Sequence, residues 1–169
     1  MLTLDDRIRV FSAVGTVLKN LDKNEQNELV QRARSENAWF TEESVLFAKE
    51  GLQRYLREEK LRQWAGHLST QPSSVKKIGV VMAGNIPWVG FHDLLAILIS
   101  GHHAMIKLSS QDSFLMRYVV NIIIELEPRL APHITIVDKL NTADAIIATG
   151  GDNTSRYFEY SFAKYPHII

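Results

Sequence analysis

Residues 78–108, IGVVMAGNIPWVGFHDLLAILISGHHAMIKL, decide the fold class. They begin with a short apolar run rich in β-branched residues, Ile78 to Ala83, and pass through a loop of glycine, asparagine and proline. A helical stretch near 91–100 follows, and then a second apolar run, 104–108. Short apolar runs without alternation mark strands buried on both faces. A helix between two such strands is a crossover connection, so the strands lie parallel. The pattern continues downstream. A helix is expected near 114–127, strands at 134–137 and 145–149, and a helix near 153–162, and Tyr165–Pro166–His167–Ile168–Ile169 reads as the opening of one more strand. The expected class is α/β with a parallel sheet.

Upstream the texture changes to charged amphipathic helices. Leu4, Ile8, Phe11, Val14 and Leu18 recur every three or four residues, and Thr3 with Asp6 has the spacing of a capping box. A second helix is expected over about 24–37 with Leu29, Val30 and Ala33 inward. A third begins after Thr41 with Val45, Ala48, Leu52, Tyr55 and Leu56 inward, and continues through Leu61, Trp64 and Leu68. Residues 69–74, STQPSS, form a small polar run with a proline that reads as a turn or linker. The chain therefore divides into a helical region, 1–74, and an α/β region, 75–169.

Composition excludes several functions. The 169 residues carry 19 Lys+Arg against 19 Asp+Glu, balanced in both regions, which gives no electrostatic footprint for nucleic acid or a membrane surface. Cysteine is absent, so these residues contain no disulfide, thiolate metal site or cysteine nucleophile. No apolar run approaches the ~18 residues of a membrane helix. The N-terminus places Asp5 and Asp6 where a secretory signal would place positive charge, so a cytoplasmic protein is expected. His102 and His103 lack metal-ligand spacing, and no metal site is expected.

Ligands of parallel α/β sheets sit beyond the carboxyl ends of strands, which singles out three loops. After the first strand, Gly84 allows close backbone approach and Asn85 offers an amide donor for a developing oxyanion; the same residues also suit an ordinary strand-to-helix turn. After the second comes Lys107, a cation at a strand end. After the fourth, Gly150–Gly151–Asp152–Asn153 opens a helix whose N-terminus can receive a pyrophosphate, or simply caps it. Neither G-x-G-x-x-G nor a P-loop motif occurs.

Taken in order, VVMAGNIPWVGFHDLLAILISGHHAMIKLSS and DAIIATGGDNTSRYFEYSFAKYP resemble the acyl-CoA reductase family, which includes the fatty-acid reductase component of bacterial bioluminescence and belongs to the aldehyde dehydrogenase superfamily. The resemblance covers roughly 76–169 and implies part of a Rossmann-like nucleotide-binding domain behind the N-terminal helices. It implies that Lys107, six residues beyond Gly101, contacts the adenosine ribose. Gly150 and Gly151 would lie near the pyrophosphate, and Asn85 would donate to the thioester or hemithioacetal oxygen. An ungapped count from Lys107 falls on Gly84, so the Asn85 assignment needs a one-residue shift. Three residues beyond the lysine, NAD-preferring relatives have a glutamate on the ribose hydroxyls; here Ser110 stands there. Losing that carboxylate removes repulsion of a 2′-phosphate and leaves Ser109 and Ser110 as donors, so NADPH is the expected cofactor.

The family mechanism takes the acyl group of a thioester onto a cysteine and reduces the acyl-enzyme to an aldehyde. With no cysteine here, the resemblance implies the N-terminal part of a longer reductase, inactive alone. It would act on acyl-CoA or an acyl-protein thioester to make fatty aldehyde, and self-associate through an unpaired sheet edge. The alternative is a stand-alone α/β phosphate- or nucleotide-binding module without catalysis.

Overall fold

The computed structural model describes residues 2–149 and 152–169, with residues 152–154 described by their backbone alone. Helix α1 (Leu4–Asn20) starts on the expected capping box: the Thr3 hydroxyl accepts from the Asp6 amide at 3.1 Å, and the Asp6 carboxylate accepts from the Thr3 amide at 3.0 Å. Helix α2 (Lys23–Glu36) repeats the device with Asp22 and Glu25. Helix α3 (Glu42–Tyr55) is capped by Thr41, whose hydroxyl accepts from the Ser44 amide. Leu29, Val30, Ala33 and Val45 are buried as their spacing predicts.

The third helix does not run on through Leu68. It ends at Tyr55, the chain turns at Leu56 and Arg57, and a separate helix α4 (Glu58–Ala65) follows. Leu56 and Leu61 explain the break. Five residues apart, they would point about 140° away from each other on one helix, yet both are 1% exposed. The turn lets both reach the core, Leu56 against Gly15 of α1.

The α/β region unfolds as β1 (Lys77–Val81), α5 (Phe91–Ile99), β2 (His103–Lys107), α6 (Ser113–Leu126), a 3-10 turn at Pro128–His133, β3 (Ile134–Ile136), β4 (Ala145–Ala148), α7 (Asp152–Phe162) and β5 (His167–Ile168). All five strands are parallel in the order β3-β2-β1-β4-β5. This is the expected α/β architecture with a Rossmann-like strand order.

One sheet face turns Val80, Ala104 and Ile106 into a core shared with α1, α5 and α6, where the Phe11 and Phe91 rings meet edge to face at 6.3 Å. Arg7, 2% exposed, fastens α1 there. Its guanidinium donates to the carbonyls of Ile99, Leu2 and Thr70, a cation satisfying the end of α5. The other face packs Met105, Ile146 and Ala148 against Leu140, Ala143 and Phe158. Leu140 belongs to the connection 137–144, which passes from β3 over β2 and β1 to β4 without a helix. Gly79 makes room for it, since a Cβ there would lie 3.1 Å from both Leu140 methyls. Among the described residues no helix is long and apolar enough to cross a membrane.

Candidate functional site

The chain leaves β1 toward β2 and β3 on one side and places β4 and β5 on the other. Beyond the carboxyl ends of β1 and β4 the crossovers diverge, and in open α/β sheets such a crevice receives ligands. The three loops singled out by sequence all leave strand ends on this side. Lys107, the last residue of β2, lies opposite Val81, the last of β1, and Ala148 of β4 flanks Val81 on the other side.

The loop between β1 and α5 is held from outside. Gly84 is buried, its carbonyl accepting from the Asn37 side-chain amide at 3.2 Å. A Cβ on Gly84 would overlap the Ser109 hydroxyl, so glycine is required by close approach. Further on, Trp88 adopts a left-handed backbone at φ 58°, unusual for a bulky residue. Two bonds hold it there: its amide donates to the Asp112 carboxyl at 2.8 Å and its indole N–H to the Leu115 carbonyl at 2.9 Å. Asn85, in the middle of this braced loop, is exposed, and its amide has no hydrogen-bond partner among the described residues. A rigid loop carrying a free amide donor at a strand end is suited to stabilise a developing oxyanion.

Asp112 is 1% exposed, and its Oδ1 finds no partner among the described residues. Burial, reinforced by the nearby Glu36 charge and only partly offset by the Trp88 amide, raises its pKa to about 8. It therefore carries a proton at neutral pH. Asp112 occupies the N-cap position of α6, but its carboxyl makes no cap bond and serves Trp88 instead. Glu36, at the end of α2, replaces it by accepting from the Ser113 hydroxyl and from the Phe114 amide at 2.8 Å. Asn37, Glu36 and Asp112 were not legible as site residues. Their only signal is polar side chains near helix ends, which ordinarily means capping.

Lys107 is exposed, as is Ser110, and Ser109 is half-buried with its hydroxyl accepting from the Gln111 amide at 3.2 Å. Beside Lys107 opens a cleft of about 270 Å³ between the connection 137–144 and α7, with Val81, Leu140 and Phe158 as apolar wall and Lys139 and Lys164 as further cations. Among the described residues Asp138 is the sole acid lining it. Gly150 and Gly151 lie outside the described residues. The Thr149 hydroxyl, just after β4, donates to Asp93 of α5 at 3.4 Å, which ties the end of β4 to the first turn of α5. Asp93 is held above the ordinary carboxylate range by burial, against the opposing effects of His92 and the Thr149 bond.

Among the described residues no group of His, Asp and Glu is arranged to hold a metal ion. His103 instead bonds the Thr135 hydroxyl at 2.8 Å, and the His102 ring accepts from the Lys76 amide at 3.3 Å. Burial, with neighbouring positive charge, lowers the pKa of both imidazoles.

A parallel sheet in this order, with its loops gathered at the switch point, defines the Rossmann-like class of α/β proteins. The model of the acyl-CoA reductase (LuxC) family matches residues 10–169, and the chain belongs to that family. Membership implies fatty acyl reductase chemistry, an acyl substrate and a nucleotide cofactor. A comparison with curated proteins finds no match.

Proposed function

We propose that this chain builds the cofactor side of an NADPH-dependent reductase that converts acyl-CoA, or an acyl-protein thioester, to a fatty aldehyde. The observation that carries the NADPH reading is the turn after β2. Residues 107–113 contain one acid, Asp112, and it is buried on Trp88. No carboxylate of that turn faces the solvent where a 2′-phosphate would lie, while Lys107 and Ser110 do. The neighbouring cleft, with its three lysines and apolar wall, fits a polyanionic dinucleotide with an aromatic base.

In this reading Lys107 holds the adenosine ribose, and Ser109 and Ser110 with Lys107 hold the 2′-phosphate. Gly150 and Gly151 take the pyrophosphate at the opening of α7. When bound, the reduced nicotinamide supplies the hydride. Asn85 donates its side-chain N–H to the thioester oxygen as negative charge gathers on it, and the braced loop keeps that donor in place without reorganisation. The acyl group is carried by a cysteine supplied from outside these 169 residues. Homo-oligomer formation accompanies this reading, favoured by Tyr157, Tyr160 and Ile168, which are exposed around α7 and β5; light scattering tests it, and a monodisperse monomer would count against it.

The deciding experiment titrates NADPH and NADH against the chain by fluorescence. Lys107→Ala is expected to weaken NADPH about tenfold. Ser110→Glu is expected to weaken NADPH relative to NADH, through repulsion between the new carboxylate and the 2′-phosphate. Unchanged NADPH affinity in Lys107→Ala, with inorganic phosphate still bound, would favour a stand-alone phosphate-binding module.

A further inference from the structure

The loop between β1 and α5 is tied down on both sides of Asn85. At Gly84 the backbone carbonyl accepts from the Asn37 side-chain amide at 3.2 Å, a bond between neutral groups. At Trp88 the backbone amide donates to Asp112 Oδ2 at 2.8 Å, a bond to a group that titrates. Between the two ties lies Asn85, followed by a short turn in which the Val89 amide donates to the Ile86 carbonyl at 3.2 Å.

Asp112 can hold its end in one protonation state far better than in the other. It is 1% exposed, and Oδ1 has no partner among the described residues. Its charged surroundings oppose ionisation. From α2 the Glu36 carboxylate, bonded to the Phe114 amide at 2.8 Å, raises the cost of a second negative charge. Arg32 of α2, Arg117 of α6 and Lys107 at the end of β2 are exposed, with Arg32 spent over the Phe114 ring at 4.3 Å from its centroid. Residues 82–90 contribute no titratable side chain.

With its proton, the carboxyl is a neutral acceptor suited to this site. Without it, a buried carboxylate with a single hydrogen bond calls for water, and a segment bonded around Asp112 must move to admit it. The start of α6 is secured by Glu36 and by the hydrogen bonds of the helix itself. The loop is the weaker neighbour. Trp88 stands at φ 58°, a left-handed backbone that is costly for a bulky residue, so releasing its amide also relieves strain.

We infer that Asp112 is a positioning residue for the reductase: its protonated form holds the Trp88 end of the loop and so keeps Asn85 in place, and loss of the proton lets that end open and carries the amide donor out of alignment. This rests on the reading of Asn85 as the oxyanion donor, which acts only if it is fixed before charge develops. Burial places the change at about pH 8.

Proton–carbon correlation NMR of the 169-residue chain tests it, because carbon-bound signals do not exchange with water. Over about pH 6 to 9.5, the Trp88 and Asn85 signals are expected to shift together with one midpoint near pH 8, while those of Phe114 stay put. Asp112→Asn keeps an acceptor oxygen and cannot ionise, so it is expected to hold both residues at their low-pH positions throughout. Asp112→Ala, which has no acceptor, is expected to displace both at every pH.

A purely structural carboxyl would move Trp88 and leave Asn85 unmoved, and that result would overturn the inference. So would a titration of Asn85 that persists in Asp112→Asn, or shifts that fall on Phe114 in place of Trp88, which would mean that the α6 end yields. No cofactor enters this titration, so failure of NADPH to bind strikes the cofactor reading alone.

Discussion

The two faces of the sheet are built to different standards. The face under α1, α5 and α6 merges with the N-terminal helices into one core, in which Phe11, Phe91, Leu94 and Leu95 are all fully buried. Even its polar groups are internal fastenings: Arg7 satisfies three carbonyls, and Asp112 holds the loop that carries Asn85. The opposite face has a thin cover. One irregular connection and α7 shield Met105, Ile146 and Ala148, and the cleft beside Lys107 opens between those two covering segments. The first face thus stores most of the stability, while the second can adjust around a ligand.

Truncating one aromatic on each face separates these roles most strongly. Phe91→Ala deletes a fully buried ring packed on Phe11 and is expected to cost about 3–5 kcal/mol in urea unfolding. Phe158→Ala removes a ring from the thin face that also lines the Lys107 cleft. It should cost clearly less stability yet weaken NADPH several-fold. Equal unfolding costs for the two variants would break the comparison.

Asp112 sharpens it next. The unfolded chain ionises this carboxyl near the ordinary aspartate value, whereas the folded chain keeps its proton to about pH 8. Between those values the folded state binds more protons, so Asp112 costs stability as pH rises, by up to about 1.4 kcal/mol per pH unit. Asp112→Asn does not titrate. Urea unfolding at pH 5 and pH 7 should therefore show the variant gaining about 2–3 kcal/mol on the wild type. Parallel pH profiles would mean that the carboxyl is not buried and protonated.

The same contrast explains what the sequence made legible. Periodicity and caps located the helices because the signals are local: Thr3 with Asp6, Thr41 with Ser44, and the apolar runs of β1, β2 and β4 behave as their patterns demand. Lys107, Ser109 and Ser110 fall at the end of β2 because strand ends follow from strand positions. The fastenings were invisible because they act across long sequence separations. Arg7 sits in DDRIR, a stretch that reads as a solvated helix face, and its partner Ile99 is 92 residues away. Asp112 and Asn37 each brace a distant loop while looking like local helix-end residues. The break before α4 was missed for a related reason, since it depends on where the core lies relative to Leu56 and Leu61.

Gly79 gives the finest test, because it touches only the thin face. A Cβ there would come 2.7 Å from the Ile146 Cδ1 and 3.1 Å from both Leu140 methyls, so something must move. The atoms in the way are side-chain ends, and Leu140 rides on a connection without regular structure, so the overpacking should be relieved cheaply. Gly79→Ala is expected to cost about 1 kcal/mol, at the low end for inserting a methyl into a packed core. Leu140 also lines the cleft beside Lys107, and displacing it should weaken NADPH about two- to fivefold. Unfolding and cofactor titration of this one variant report the two effects together. A cost above about 3 kcal/mol with NADPH affinity unmoved would mean that the second face is as rigid as the first.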